Sequence, residues 1–296
     1  MCDMTESSYI LSLNDDLNFT FYAEKGMGEW LDKLADIMNL RPDNNGGHGH
    51  RVFCISMDSG NAPLKIQAES EKWATLYNYR TAKIRHNNGK KDYLIELDNR
   101  GSRELEYINM WYALYGVYSS VVGHGGFPLH AGLAEVNGKG VILAGRSGQG
   151  KSTSIKRISG VWPAFSDDET LIVHDKDKGY MAYPMPTWSG FISKGDERRW
   201  PLSRPVHVDA LFFIEKADTD EITSLKNRAE TVLMLNRSVR EIYLRYLNNL
   251  EKQQRREEAT AIFNNVCSMA WAIPCYRLRI SLTGRFWEKI EEVVKA

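Results

Sequence analysis

The segment Val141 to Ile158 reads VILAGRSGQGKSTSIKRI. It limits the chain more than any other stretch. An apolar run enters a glycine-rich loop, and a short helix pattern leaves it. The loop G-R-S-G-Q-G-K-S, residues 145 to 152, satisfies G-x-x-x-x-G-K-[ST] in full. Glycine has no Cβ, so successive backbone N–H groups can turn toward one anion. A helix N-terminus at the end of the loop adds further unpaired N–H donors. The expected ligand is therefore the phosphate chain of a nucleotide, ATP, with Mg²⁺. Gly145, Ser147, Gly148, Gly150 and Thr153 are expected to line it. Lys151 is expected to reach the β- and γ-phosphates, and the Ser152 hydroxyl to ligate the metal.

The flanks narrow the class. The run PLHAGLAEVNGKGVILAG places two apolar strands around N-G-K-G, a hairpin signal. The loop strand is thus fed by a hairpin. An acidic pair, Asp167-Asp168, follows Lys151 by only sixteen residues. Two adjacent carboxylates beside a phosphate site suit two tasks: one holds Mg²⁺, and the other accepts a proton from an attacking hydroxyl. Strand patterns recur at Val206–Glu215 and in CYRLRISL. Helix patterns cover about 229–250 and 255–272, and a last helix runs from Thr283. A motor or transporter ATPase is disfavoured, because the acidic pair lies so near the loop and no LSGGQ-like segment is present.

Upstream, LNFTFYAE and RVFCISM alternate as strands. In EWLDKLADIMNL, residues Trp30, Leu31, Leu34, Ile37 and Met38 share one helical face. N-N-G-K-K reads as a hairpin turn between TLYNYRTAKIRH and DYLIELD. RELEYINMWYALYGVYSSVV reads as one long amphipathic helix with an aromatic core stripe. His48 and His50 read as part of a solvated loop. These patterns predict an N-terminal α+β region over residues 1–100 and a P-loop domain over 101–296 with helices packed C-terminally.

Charge excludes some partners. Lysine plus arginine and aspartate plus glutamate balance at 38 each, so no basic field suggests a nucleic acid. No run of about 18 apolar residues predicts a membrane span. The four cysteines match neither a disulfide nor a zinc framework. The polar start MCDMTESSYI does not read as a signal peptide. The expected location is cytoplasmic.

The run from Leu129 to Val173, with its histidine, hairpin, loop and acidic pair, resembles the core of the HPr serine kinase/phosphorylase family. The resemblance is to divergent HPr-kinase-like members, and it implies the fold shared with phosphoenolpyruvate carboxykinase. It further implies that His130 lies close to the phosphate site. Asp167 would be the base and Asp168 the metal-associated carboxylate, in assignments that can be exchanged. Arg146 stands at a loop position commonly acidic in those enzymes. The expected activity is an ATP-dependent kinase acting on a hydroxyl of a small metabolite, or on a Ser or Thr of a peptide or protein. The alternative is a non-catalytic ATP-binding sensor. WSGFISKGDERRWPLSR, with Lys194, Arg198 and Arg199, is a candidate lid. Glu215 is expected to point into the site or to cap the sheet. Arg277 and Arg279 alternate along one strand and are candidates to face an anion.

Overall fold

The computed structural model describes residues 4–44, 46, 49–58, 73–87, 89–98, 100–194, 198, 200 and 202–295. The chain is mixed α/β, with two mixed sheets and helices. It forms two compact units. Where the sequence suggested one boundary near residue 100, the chain passes between the units more than once. The first unit comprises 1–120, 188–203 and 245–258, and the second 121–187, 204–244 and 259–296.

The first unit holds a seven-stranded sheet. Its strands are β1 (Met4–Ser12), β2 (Asn18–Glu24), β3 (Arg41–Pro42), β4 (His50–Ser56), β5 (Ala74–Tyr79), β6 (Ala82–Asn87) and β7 (Asp92–Leu97). The order is β3-β1-β2-β4-β7-β6-β5, with β4 parallel to both β2 and β7. Helix α1 (Gly28–Met38) lies against β1 and β2 and buries all five residues of its apolar face. It ends at Asn39, whose left-handed φ of 50° makes the stop.

Three expectations are corrected here. His50 is not in a solvated loop; it opens β4, is buried, and stacks on Phe19 at 5.0 Å. His48 lies outside the described residues. The run TLYNYRTAKIRH is two strands, because Arg80 and Thr81 form a tight turn between β5 and β6. The long aromatic helix is also two: α2 (Arg103–Ala113), capped by the Ser102 hydroxyl, and α3 (Tyr115–Gly123), with Leu114 between them.

In the second unit the central path is β11-β9-β10-β14-β13-β12-β8. These strands are β8 (Phe127–Leu129), β9 (Ala131–Val136), β10 (Lys139–Ala144), β11 (Ala164–Ser166), β12 (Glu169–Asp175), β13 (Gly179–Met185) and β14 (Val206–Lys216). Two more strands extend it: β15 (Glu221–Ser224) pairs with β16 (Cys275–Ile280), which lies parallel to β14. The hairpin forms as the sequence suggests, with Asn137 and Gly138 both at positive φ in its turn. Strands β10, β14 and β16 run parallel, so their C-terminal ends come out on one side. That edge is where α/β sheets bind ligands.

Helix α4 (Lys151–Ile158) follows the glycine loop and packs on β9. The close approach depends on Gly132: a Cβ there would stand 2.4 Å from Ile155 Cγ1. On the apolar side, Val141, Leu143, Phe212 and Leu278 pack with Phe286, Ile290 and Val294 of the last helix, Phe286–Lys295.

Candidate functional site

Three strand ends build the site. β10 delivers Gly145 and Arg146, β14 delivers Glu215 and Lys216, and β16 delivers Ile280 and then Ser281. The loop crosses this edge, with Gly148 at φ 80° and Gly150 at φ 99°. Those are left-handed conformations that a Cβ would strain. A cavity of about 550 Å³ opens along the loop and the first turn of α4. Ser147, Gly148, Gly150, Lys151, Ser152 and Thr153 all line it, as do His130 and Asp168. Gly145 lies on the other side of the loop, in a second cavity of about 670 Å³.

Lys151 is buried. Its ammonium donates to the carbonyl oxygens of Gly145 at 2.7 Å and Arg146 at 3.2 Å. Burial pulls its pKa below the ordinary lysine value, and the carboxylates of Glu241 and Asp168 push back upward. A desolvated cation held this way is a strong anion ligand. Ser154, one turn into α4, has a buried hydroxyl with no hydrogen-bond partner among the described residues, and it lines the same cavity. An unsatisfied buried hydroxyl and a desolvated ammonium on one wall fit an anionic ligand such as a phosphate chain.

His130 sits in the break between β8 and β9. Its backbone is fixed on both sides by Ser238 of α6 (Arg228–Leu247). Its N–H donates to the Ser238 carbonyl, and its carbonyl accepts from the Ser238 hydroxyl at 2.8 Å. The imidazole lies between two carboxylates: Nε2 is 3.5 Å from Asp168 Oδ1, and Nδ1 is 3.4 Å from Glu241 Oε2. A neutral ring can donate to only one of them; the imidazolium serves both. The ring thus bridges the two cavities, since Asp168 and His130 line the smaller and Glu241 the larger.

The acidic pair divides. Asp168 faces the loop cavity. Asp167 does not line it, and its Oδ1 accepts from the Thr187 hydroxyl at 2.7 Å. Glu215 lines the larger cavity and pairs with Arg277 at 3.2 Å, and Arg277 also pairs with Glu230. Arg279, two residues on, lines neither cavity and pairs with Glu221, both side chains being exposed. The segment expected to form a lid instead carries helix α5 (Trp188–Lys194) and groups with the first unit, where Trp188, Phe191 and Trp200 are buried. Arg198 stacks over Trp200. Arg199 and the side chain of Lys194 lie outside what is described.

Glu241 was missed in the sequence. It lies inside a helix with no motif around it. The available signal was spacing: Glu230, Met234, Arg237 and Glu241 fall four, three and four residues apart, which is one helical face, and all four line the larger cavity.

The class that the fold defines is a mixed α/β chain, with a glycine loop at the C-terminal edge of one sheet and charged side chains around two cavities. Residues 93–295 match the family described as SynChlorMet cassette protein ScmC, and the chain belongs to that family. This overturns the expected membership of the HPr kinase family. The motifs behind that resemblance are a short strand, loop and acidic-pair constellation, which more than one family can carry. The matched range contains both cavities and leaves most of the first sheet outside it. No curated protein matches the chain.

Proposed function

We propose that this chain is an ATP-dependent kinase that transfers the γ-phosphoryl group to a hydroxyl, built on a P-loop core. The observation that carries the reading is the meeting of two sets of groups at one place. The loop and Lys151 supply anion binding. The Asp168–His130–Glu241 array supplies carboxylates within reach of it.

Gly148, Gly150 and the first turn of α4 would hold the phosphates. Ser152 and Asp168 would hold Mg²⁺, which supplies charge neutralisation on the phosphate oxygens. Their oxygen donors suit a hard cation, and Mg²⁺ commonly takes one or two protein oxygens beside phosphates and water. Among the described residues no three His, Cys, Asp or Glu side chains gather into a metal cage, and such a site needs none. His130 holds Asp168 and Glu241 in register through its two nitrogens. Asp167 secures the turn by way of Thr187 rather than entering the reaction.

The test uses γ-labelled ATP, Mg²⁺ and desalted extract of the source organism, with native protein and Lys151→Ala compared. Label that depends on Lys151, in a small-molecule or a protein fraction, is the expected result. Removing one preorganised charge-stabilising group lowers transfer by at least ~100-fold. ATP binding without lysine-dependent label in any fraction would replace the kinase with a nucleotide sensor.

A further inference from the structure

We infer that the larger cavity is the acceptor site, and that it takes a small hydroxy-carboxylic acid, with Glu241 as the base. The inference rests on the kinase reading.

Position comes first. The two cavities lie on either side of the same loop and share Gln149 and Lys216 in their walls. The smaller is committed to phosphate by Lys151, Ser152 and Asp168. The larger holds about 670 Å³, a usual size for a small-molecule site. It reaches the reacting end through Glu241, whose carboxylate is 3.4 Å from the imidazole that touches Asp168. A hydroxyl placed at that end faces both a carboxylate and the phosphate-binding lysine.

Charge then sets the class. Arg146, Lys216, Arg237 and Arg277 line the cavity against Glu215, Glu230 and Glu241. Four cations and three carboxylates leave one net positive charge, which a monoanion neutralises. A phosphate dianion would overshoot and meet three carboxylates. Arg277 is already held by Glu215 and Glu230, and Glu241 is engaged by His130. Arg146 and Arg237 have no carboxylate partner among the described residues, and both are exposed to the cavity. A guanidinium offers two parallel N–H donors that match a carboxylate. Met234 and Leu233 supply an apolar wall.

The step balances simply. The acceptor hydroxyl oxygen bonds to the γ-phosphorus, the bond from that phosphorus to the β,γ-bridging oxygen breaks, and ADP leaves. The hydroxyl proton passes to the Glu241 carboxylate.

The experiment uses a small-molecule extract of the source organism, below about 1 kDa, offered before and after its carboxyl groups are converted to amides. The untreated extract is expected to accept label from γ-labelled ATP, and the amidated extract to lose it. Arg146→Ala with Arg237→Ala is expected to raise the half-saturating extract concentration roughly 10- to 100-fold, with ATP affinity unchanged. Glu241→Gln is expected to lower the maximal rate and leave that concentration alone. Label that survives amidation, label found only in peptides or proteins, or arginine variants that weaken ATP instead would each overturn the acceptor site while the kinase stands. No label with native protein in any fraction overturns both.

Discussion

Each unit holds a part-buried imidazole among charged or polar neighbours, and the two sites differ in what they open onto. In the first unit His86 stacks on Tyr93 at 4.3 Å, and the Tyr93 hydroxyl is bonded to Ser120 at 2.9 Å. Beside it, Arg85 and Glu96 form an ion pair at 3.0 Å with both side chains buried. Burial, with a smaller push from His50, lowers the His86 pKa to about 4 against a weaker pull from Asp92. The group is therefore neutral at ordinary pH and its partners are internal. In the second unit His130 stands between two carboxylates, and cavities open on both sides. A perturbed or buried titratable group is thus no sign of a site in itself. Access by a ligand and convergence with other chemistry make the difference.

The largest effect that would sharpen this contrast is at His130. His130→Gln keeps the backbone bonds to Ser238, so melting temperature should hold. It removes the ring whose two nitrogens lie beside Asp168 and Glu241, and maximal phosphoryl transfer should fall by about 10²-fold or more. ATP affinity should change little, since the loop and Lys151 remain. A variant that loses stability and keeps its rate would put His130 in the same structural category as His86.

Arg85→Met is the converse probe. It takes the guanidinium away from the buried Glu96 carboxylate, which destabilises by about 3–5 kcal/mol. The double change Arg85→Met with Glu96→Leu should recover most of that. Chemical denaturation of the single and double variants measures both. Lysine-dependent transfer by the folded fraction of either should match that of the native protein. A large loss of transfer at full folding would break the division between the two units.

Much of this division was legible in the chain, for identifiable reasons. The glycine loop, the N-G turn and the alternating strands are local features, and local sterics decide them. Lys151, Ser152 and Asp168 could be grouped because they lie close in sequence. Glu241 could not, since ninety residues separate it from Lys151 and only the packing of α6 on His130 joins them. The order of Asp167 and Asp168 was not fixed either: adjacent residues around a strand start point opposite ways, and Thr187 claims the first. The segment with the lid-like charges is anchored by the buried Trp188, Phe191 and Trp200, an anchoring that its local charge pattern does not encode. The misread family has the same origin, because shared local motifs carry less information than a match over residues 93–295.

The smallest effect concerns acid. His86 has a folded pKa of about 4, below the unfolded value near 6.5. Between those pH values the unfolded chain binds a proton that the folded chain refuses, so stability rises with pH there. His86 therefore contributes its full share above about pH 6.5. That share is lost as pH falls toward about 4, and no further loss comes from this group below that. His86→Phe preserves the stack on Tyr93 and removes the proton site, so its denaturation free energy should fall less steeply than that of the native protein between pH 6.5 and 4. Equal slopes for the two would mean that His86 meets solvent as freely as a surface histidine, and the contrast with His130 would then rest on Arg85 and Glu96 alone.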